Sequence, residues 1–185
     1  VCLIDFVVPA LVGASQRTET IPEDRQGNVF TGSNPPTAVR IRGVDFEHVM
    51  LAGKSKFSFG TEASCDICIE SRYRHVSHSH ALLERRGDML RVTDLESKNG
   101  IAFQGIKSKQ FEIGAGDRFS IDQTVFYVLS DAMRLVRPII GEILGPHRTE
   151  DIDDLLMAAV HGGHVFLRAE PGCDQQRLAE QIHHA

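Results

Sequence analysis

The sequence lacks the features that mark several protein classes. Its 185 residues include no tryptophan, and aromatic residues make up only 6% of the chain. The 4 cysteines are too few and too scattered for a disulfide-rich secreted scaffold, so we expect a reducing, cytoplasmic setting. Basic residues are not in excess, because 20 Lys+Arg stand against 25 Asp+Glu and the net charge is −5. A dominant nucleic-acid interface is therefore not expected.

Long hydrophobic runs are also missing. The longest apolar stretch, residues 1–14, contains Asp5 and Pro9 and is too short to span a bilayer. It has no basic residues at its start, so it is not typical of a signal peptide, and no membrane partner is expected. The apolar fraction of 42% and the charged fraction of 24% are those of a globular protein. The length allows one domain and a piece of another.

The composition divides the chain into four segments. Residues 1–37 begin apolar and become polar and rich in turn formers, which predicts a tail with one strand near its start. Residues 38–130 alternate short apolar runs with turns, a pattern typical of an antiparallel β-sandwich. Residues 131–148 are predicted to be a linker. Residues 149–185 change to a helical period and predict a short α/β fragment.

Short strands are predicted throughout the second segment. They lie at 38–42, 56–59, 66–69, 81–84, 89–93, 101–103, 118–121 and 124–129. In the last segment, residues 149–161 place apolar side chains on one face of a helix. A buried strand is predicted at 165–167 and a second helix from Gln175, with no further strands to form a sheet.

A series of motifs between residues 38 and 130 resembles the forkhead-associated (FHA) domain family. In order, FSFG (57–60) resembles the strand that ends in the family's Gly-Arg pair, SCDICI (64–69) the "cDivl" strand, VSHSHA (76–81) "vSrxHa", DLESKNG (94–100) "DlgStNG", QG (104–105) the following "NG", and IGAGD (113–117) "LxxGD". The resemblance implies a mainly β chain with an antiparallel β-sandwich of the FHA/SMAD-like type. It also implies a module that binds phosphothreonine peptides.

The resemblance also implies roles for individual side chains at the loop tips. Ser77 would donate a hydrogen bond to a phosphate oxygen, and Asn99 has an amide that can pair with the peptide main chain. Gly60 and Gly100 belong to the structural motif, and Gly100 permits the tight turn that points Asn99 outward. His80 resembles the family's structural histidine, which braces the loops without touching the ligand.

Three candidate binding residues depart from the family pattern. Thr61 stands where the family has an arginine, so one hydroxyl replaces a bidentate, permanently charged group. His78 stands where the family often has Arg, Lys or Asn, and imidazole is mostly neutral near pH 7. Lys98 replaces the usual threonine and could return positive charge, as could Arg72 and Arg74.

Two other chemistries are less well supported by the residues. Cys65-x-x-Cys68 followed by His75 suggests zinc, but the gap is shorter than the usual finger spacing. A free cysteine on a strand also behaves as a small hydrophobe, so no metal is predicted. The serine and histidines of 77–80 lie too close along the chain to form a triad, and we expect no catalytic residue and no enzyme.

Residues 138–185 resemble the start of the AAA+ ATPase domain of sigma-54-dependent transcriptional activators. A working phosphate loop needs G-x-x-x-x-G-K, and the corresponding positions here are Ala169, Asp174 and Gln175, while Gly172 matches the family. Asp174 can cap the helix and occupy the donors that a phosphate would need. We therefore predict an inactive phosphate loop and no cofactor. Both a fragment of a longer regulator and a degenerate remnant remain open.

These resemblances lead to one main interpretation and two alternatives. The main one is a phosphothreonine-peptide-binding module of a bacterial signalling or transcription regulator, with a Ser/Thr kinase upstream and no direct contact with nucleic acid. The first alternative is a phospho-independent interaction module, which Thr61 favours. The second is an ATP-dependent sigma-54 activator, against which the altered phosphate loop argues.

Overall fold

The computed structural model describes residues 4–7, 34–161, 166–169, 176 and 179. The chain falls into two units, Ser33–Asp131 and the two chain ends, Val1–Gly32 with Ala132–Ala185. The strands are β1 (Ile4–Val7), β2 (Ala38–Ile41), β3 (Glu47–Val49), β4 (Lys56–Gly60), β5 (Ile67–Cys68), β6 (Ala81–Arg86), β7 (Met89–Asp94), β8 (Ile101–Phe103), β9 (Ile106–Ser108), β10 (Gln110–Ile113), β11 (Arg118–Ile121), β12 (Thr124–Leu129) and β13 (Phe166–Ala169). The helices are α1 (Asp131–Leu144) and α2 (Thr149–Val160).

The central unit is a sandwich of two sheets. The first sheet has the order β10-β7-β6-β4-β5, and the second has the order β3-β2-β12-β11-β8-β9. Neighbouring strands are antiparallel except for β4 and β5, which run parallel. This confirms the predicted fold class, a mainly β chain built on an antiparallel sandwich.

The core of the sandwich follows from alternation along its strands. In β4, Phe57 and Phe59 are buried while Lys56 is exposed, so one face of the strand points between the sheets. The Phe59 ring packs edge-on against Phe126 at 5.2 Å and Phe119 at 6.0 Å, both from the opposite sheet. These three rings thus lie between the two sheets, where they bury a large apolar surface.

The outward face of the first sheet carries a row of alternating charges across four strands. The registers pair Lys56 with Glu84, Glu84 with Arg91, and Arg91 with Glu112. Lys56 Nζ lies 2.9 Å from Glu84, and Arg91 lies 2.8 Å from Glu112. Opposite charges placed directly across neighbouring strands favour this register over a slipped one.

Every predicted strand of the sandwich coincides with an observed one, and three observed strands were not predicted. β3 and β9 are short edge strands with exposed residues and lack a clear apolar alternation, whereas the four-residue edge strand β10 does alternate, with Glu112 exposed and Ile113 buried. β8 and β9 are joined through Gln104 and Gly105, whose φ angles are 51° and 78°. That backbone is typical of a two-residue hairpin turn.

The predicted linker 131–148 contains helix α1. The helix begins at Asp131, whose carboxylate suits a helix N-terminus, and it ends before Gly145, which has a φ of 100°. Pro138 lies inside it, at a place where proline usually ends or kinks a helix. The predicted helix at 149–161 is confirmed as α2, and Arg137 of α1 pairs with Asp153 of α2 at 2.8 Å.

The two ends of the chain form a small sheet that was not predicted. The strand expected near the start is β1, and it pairs antiparallel with β13, with Ile4 opposite Ala169 and Val7 opposite Phe166. The prediction that the C-terminal strand has no sheet partner is therefore wrong, because local patterns do not report a pairing between distant segments. Gly172, Asp174 and Gln175 lie outside the described residues. Of the predicted second helix, Gln176 and Ala179 are described, and both are helical.

None of the helices in the described ranges combines the length and apolar character needed to cross a membrane.

Candidate functional site

Three loops meet at one end of the strands of the first sheet, and Ser77 lies where they join. They connect β4 to β5, β5 to β6, and β7 to β8. The Thr61 N–H donates to the Ser77 carbonyl at 3.1 Å, and the Lys98 N–H donates to Ser77 Oγ at 3.1 Å. The structure thus brings together the predicted site residues from all three loops.

Gly60 allows the first two loops to approach each other closely. A Cβ atom added to Gly60 would lie 1.9 Å from the His78 carbonyl oxygen and 3.0 Å from the Ser77 carbonyl oxygen. Neighbouring backbone bonds hold this contact, since the Glu62 N–H donates to the His78 carbonyl at 3.1 Å. No side chain fits at position 60 while Ser77 and His78 keep these positions.

His80 connects the Ser77 loop to the loop that ends at Gly100. Its ring is fully buried, and its Nδ1 accepts a hydrogen bond from the Ser77 N–H at 2.9 Å. Because Nδ1 is an acceptor, the neutral ring carries its hydrogen on Nε2, which faces the Gly100 carbonyl at 3.4 Å. Burial lowers the pKa of His80, while the contact with Gly100 acts in the opposite direction.

Asn99 is held by the backbone of the neighbouring loop. Its Nδ2 donates to the His75 carbonyl at 2.7 Å, and the His75 ring in turn lies 2.6 Å from Thr124 Oγ1. Gly100 follows with a φ of 69°, and its N–H donates to Ser97 Oγ at 3.0 Å. These bonds fix the half-buried Asn99 side chain without using its second N–H or its carbonyl oxygen.

The side chains that remain available form a small polar notch, which we define as Thr61, Ser77, Lys98 and Asn99. Ser77 Oγ already accepts a hydrogen bond from the Lys98 N–H, so its own hydrogen can point to a ligand. Lys98 is exposed, while Thr61 and Ser77 are half-buried. His78 lies beside the notch with an exposed side chain. Such an array of hydroxyl, amide and ammonium donors suits an anion.

The cysteine and histidine side chains do not converge on one point. Cys65 Sγ donates to the His78 carbonyl at 3.4 Å, and Cys68 is exposed. Burial raises the pKa of the Cys65 thiol, which disfavours its thiolate. Across the residues that the structure describes, no three His, Cys, Asp or Glu side chains are placed to hold a metal ion.

Asp66 locks the loop that carries Thr61 onto strand β4. Its carboxylate pairs with Lys54 and accepts hydrogen bonds from the Ser58 N–H at 2.9 Å and the Ser58 hydroxyl at 3.0 Å. The Asp66 N–H donates back to Ser58 Oγ at 2.9 Å. The Lys54 ammonium, followed by the two Ser58 donors, lowers the pKa of Asp66 to about 2.

We expect Asp66→Ala to lower the free energy of unfolding by about 2 kcal/mol at pH 7, because several hydrogen bonds to a charged group are lost. The folded pKa lies below the ordinary 3.8, so the wild-type contribution is present above pH 4 and is lost as the pH falls towards about 2. Urea denaturation of wild type and variant at pH 7 and near pH 2 measures the difference in the free energy of unfolding. Asp45→Ala, at an exposed position, is the control. Equal losses of unfolding free energy in the two variants would contradict the claim that Asp66 holds its loop to strand β4.

Residues 57–122 match the family model of the FHA domain. The chain contains an FHA domain. The matched segment includes Gly60, Ser77, His80 and Asn99, so the notch lies within it. No curated protein matches the chain.

The chain is also similar to several solved FHA structures. The FHA domain of CT664 from Chlamydia trachomatis is 21% identical, with a TM-score of 0.45, and the match covers 50% of this chain and 95% of that one. A structure titled for phosphothreonine-dependent FHA domain interactions is 17% identical, with a TM-score of 0.43, over 50% of this chain and 96% of that one. Mycobacterium tuberculosis EmbR, in complex with a low-affinity phosphopeptide, is 20% identical, with a TM-score of 0.43, over 51% of this chain and 24% of that one.

Lys107 lies beside the notch and was not singled out in the sequence. The register of β8 and β9 places it opposite Ala102, and its Cδ lies 3.8 Å from the position of a Cβ on Gly100. The signal was present, because a two-residue turn at 104–105 pairs Phe103 with Ile106 and therefore Ala102 with Lys107.

Proposed function

We propose that the FHA domain of this protein binds phosphothreonine peptides in the notch. The observation that carries the proposal is the bond from the Lys98 N–H to Ser77 Oγ, because it joins two loops and leaves the hydroxyl hydrogen of Ser77 available to a ligand. Ser77 and Lys98 then donate to phosphate oxygens, and Thr61 adds a hydroxyl. Asn99 pairs with the peptide main chain beside the phosphothreonine through its free amide groups.

The same proposal places the protein in a phosphorylation pathway. A reader of phosphothreonine needs a partner protein phosphorylated by a Ser/Thr kinase, and we propose that such a kinase acts upstream. The setting is a bacterial signalling or transcription regulator in the cytoplasm, and the domain acts as an interaction module, not an enzyme. The C-terminal resemblance to sigma-54 activators adds this regulatory context but no ATPase role, because Ala169, Asp174 and Gln175 replace the phosphate-loop residues.

A second candidate function is peptide binding that does not depend on phosphate. The observation that favours it is Thr61, which brings no charge to a position beside Ser77. Loss of a charge-assisted contact of about 1.5–3 kcal/mol weakens phosphate binding by about tenfold or more. Equal affinities for a peptide and its phosphorylated form would select this second function.

Ser77→Ala is expected to weaken phosphothreonine-peptide binding by about tenfold or more, because it removes a hydroxyl donor to a charged phosphate. The full chain is first screened against a degenerate phosphothreonine peptide library, and the best peptide is titrated calorimetrically. Ser79→Ala removes an exposed hydroxyl two residues away and serves as the control. The proposed function fails if the wild-type chain binds phosphorylated and unphosphorylated libraries alike.

A further inference from the structure

We infer that Lys107 supplies a second cation that contacts the phosphate, beside Lys98, and so takes the place of the arginine that Thr61 replaces. The inference depends on the proposed function, since it assigns a further binding residue to the same notch. In this assignment, the charge that the family's arginine would bring on the Ser77 side of the notch lies instead on the Asn99 side, beside strand β9.

The position of the Lys107 side chain supports this assignment. Its Cδ lies 3.8 Å from where a Cβ of Gly100 would be, so the aliphatic stem extends over a residue that has no side chain. Gly100 directly follows Asn99 and has a φ of 69°, a conformation that other residues adopt rarely. The ammonium group is two bonds beyond Cδ, within reach of an anion bound at Asn99 and Ser77.

The charge pairing of the lysines supports it independently. Lys54, in the loop before β4, pairs with Asp66, and Lys56 of β4 pairs with Glu84. Lys107 is exposed and has no acidic partner among the residues that the structure describes. An ammonium without a counter-ion loses little on meeting a phosphate, whereas a paired lysine would first have to leave its carboxylate.

The hairpin geometry explains why this lysine can reach the notch. Residues 102 and 107 are paired across β8 and β9, and the chain enters β8 directly from Gly100. The tight turn at 104–105 keeps β9 beside β8, so the Lys107 stem starts about one strand spacing from Ala102, two residues after Gly100. A longer loop would leave its position undefined.

The experiment compares lysine variants of the full chain in calorimetric titrations with the best peptide from the phosphothreonine library. Lys107→Gln is expected to weaken binding by about tenfold and to reduce the salt dependence of the affinity. Lys109→Gln makes the same charge change two residues along and should leave the affinity within about twofold of wild type. Thr61→Arg should restore the affinity of the Lys107→Gln variant more than it improves wild type.

The outcomes distinguish failure of the inference from failure of the proposed function on which it depends. If wild type binds the phosphopeptide and Lys107→Gln binds as tightly as Lys109→Gln, the inference is overturned while the proposed function stands. If Lys98→Gln weakens binding and Lys107→Gln does not, Lys98 is the only cation at the phosphate and the inference is also overturned. If wild type shows no preference for the phosphorylated peptide, the proposed function fails and the inference with it.

Discussion

Gly60→Ala is expected to lower the free energy of unfolding of the FHA domain by about 3 kcal/mol or more. The added methyl group would lie 1.9 Å from the His78 carbonyl oxygen, and the atoms that it meets are backbone, which cannot rotate away. Either the loop that carries Ser77 moves or strand β4 shifts out of the sheet. Urea denaturation of the full chain, followed by far-UV circular dichroism, measures the loss.

The matched control is Gly114→Ala. A Cβ at Gly114 meets Met89 Sδ at 3.5 Å, which is an ordinary contact with a flexible side chain, and Gly114 does not have a positive φ. We expect a change below about 1 kcal/mol there. Equal stability losses at the two positions would show that the approach of Gly60 to His78 is not what constrains residue 60.

His80→Leu is expected to cost about 2–4 kcal/mol, because it leaves the Ser77 N–H and the Gly100 carbonyl without their partner inside the domain. Leucine keeps the apolar volume at this buried position, so the loss reports the hydrogen bonds more than a cavity. Because both partners are in loops of the notch, the variant should also lose peptide binding even where it remains folded.

The same histidine makes stability depend on pH. Burial lowers the pKa of His80 below the ordinary 6.5. Just below pH 6.5, His80 therefore binds a proton in the unfolded chain but not in the folded chain. The contribution of neutral His80 to the free energy of unfolding should therefore be fully present above pH 6.5. It should decrease as the pH falls through the pKa that His80 has in the folded chain. Denaturation series between pH 7.5 and pH 5 measure the slope.

A second histidine has to be separated in that measurement. Burial also lowers the pKa of His48, although Asp66 acts against the shift, so it contributes to the slope with the same sign. His48→Leu removes that part, and His80→Leu removes the part that comes from His80. An unchanged slope in His80→Leu would contradict the assignment of a neutral, Nε2-protonated ring.

Much of the sandwich could be predicted because its strands either alternate between apolar and polar residues or are short apolar runs bounded by turns. Lys56 to Phe59 alternates as a half-buried strand requires, Thr124 to Leu129 is an apolar run typical of a buried strand, and the turns between strands carry Gly, Asn or Asp. β3 and β9 were missed because edge strands with two or three exposed residues carry no such pattern. Helix α1 was missed because Pro138 marks the end of a helix more often than its middle.

The site shows a similar division between local and long-range information. Ser77 and Asn99 could be picked out because their motifs are contiguous and ordered along the chain. The partners that hold them could not, since the bond from Asn99 to the His75 carbonyl and the contact of His75 with Thr124 join residues from different parts of the sequence. The pairing of β1 with β13 escaped for the same reason.

The most direct test of the central claim is an NMR titration of the isotope-labelled full chain with N-acetyl-phosphothreonine N-methylamide, a minimal probe of the notch. We expect saturable shifts of the backbone amide signals of Ser77, Lys98 and Gly100, and none with the unphosphorylated threonine compound. Amide shifts confined to other parts of the chain, or identical shifts with both compounds, would contradict phosphothreonine binding at this site.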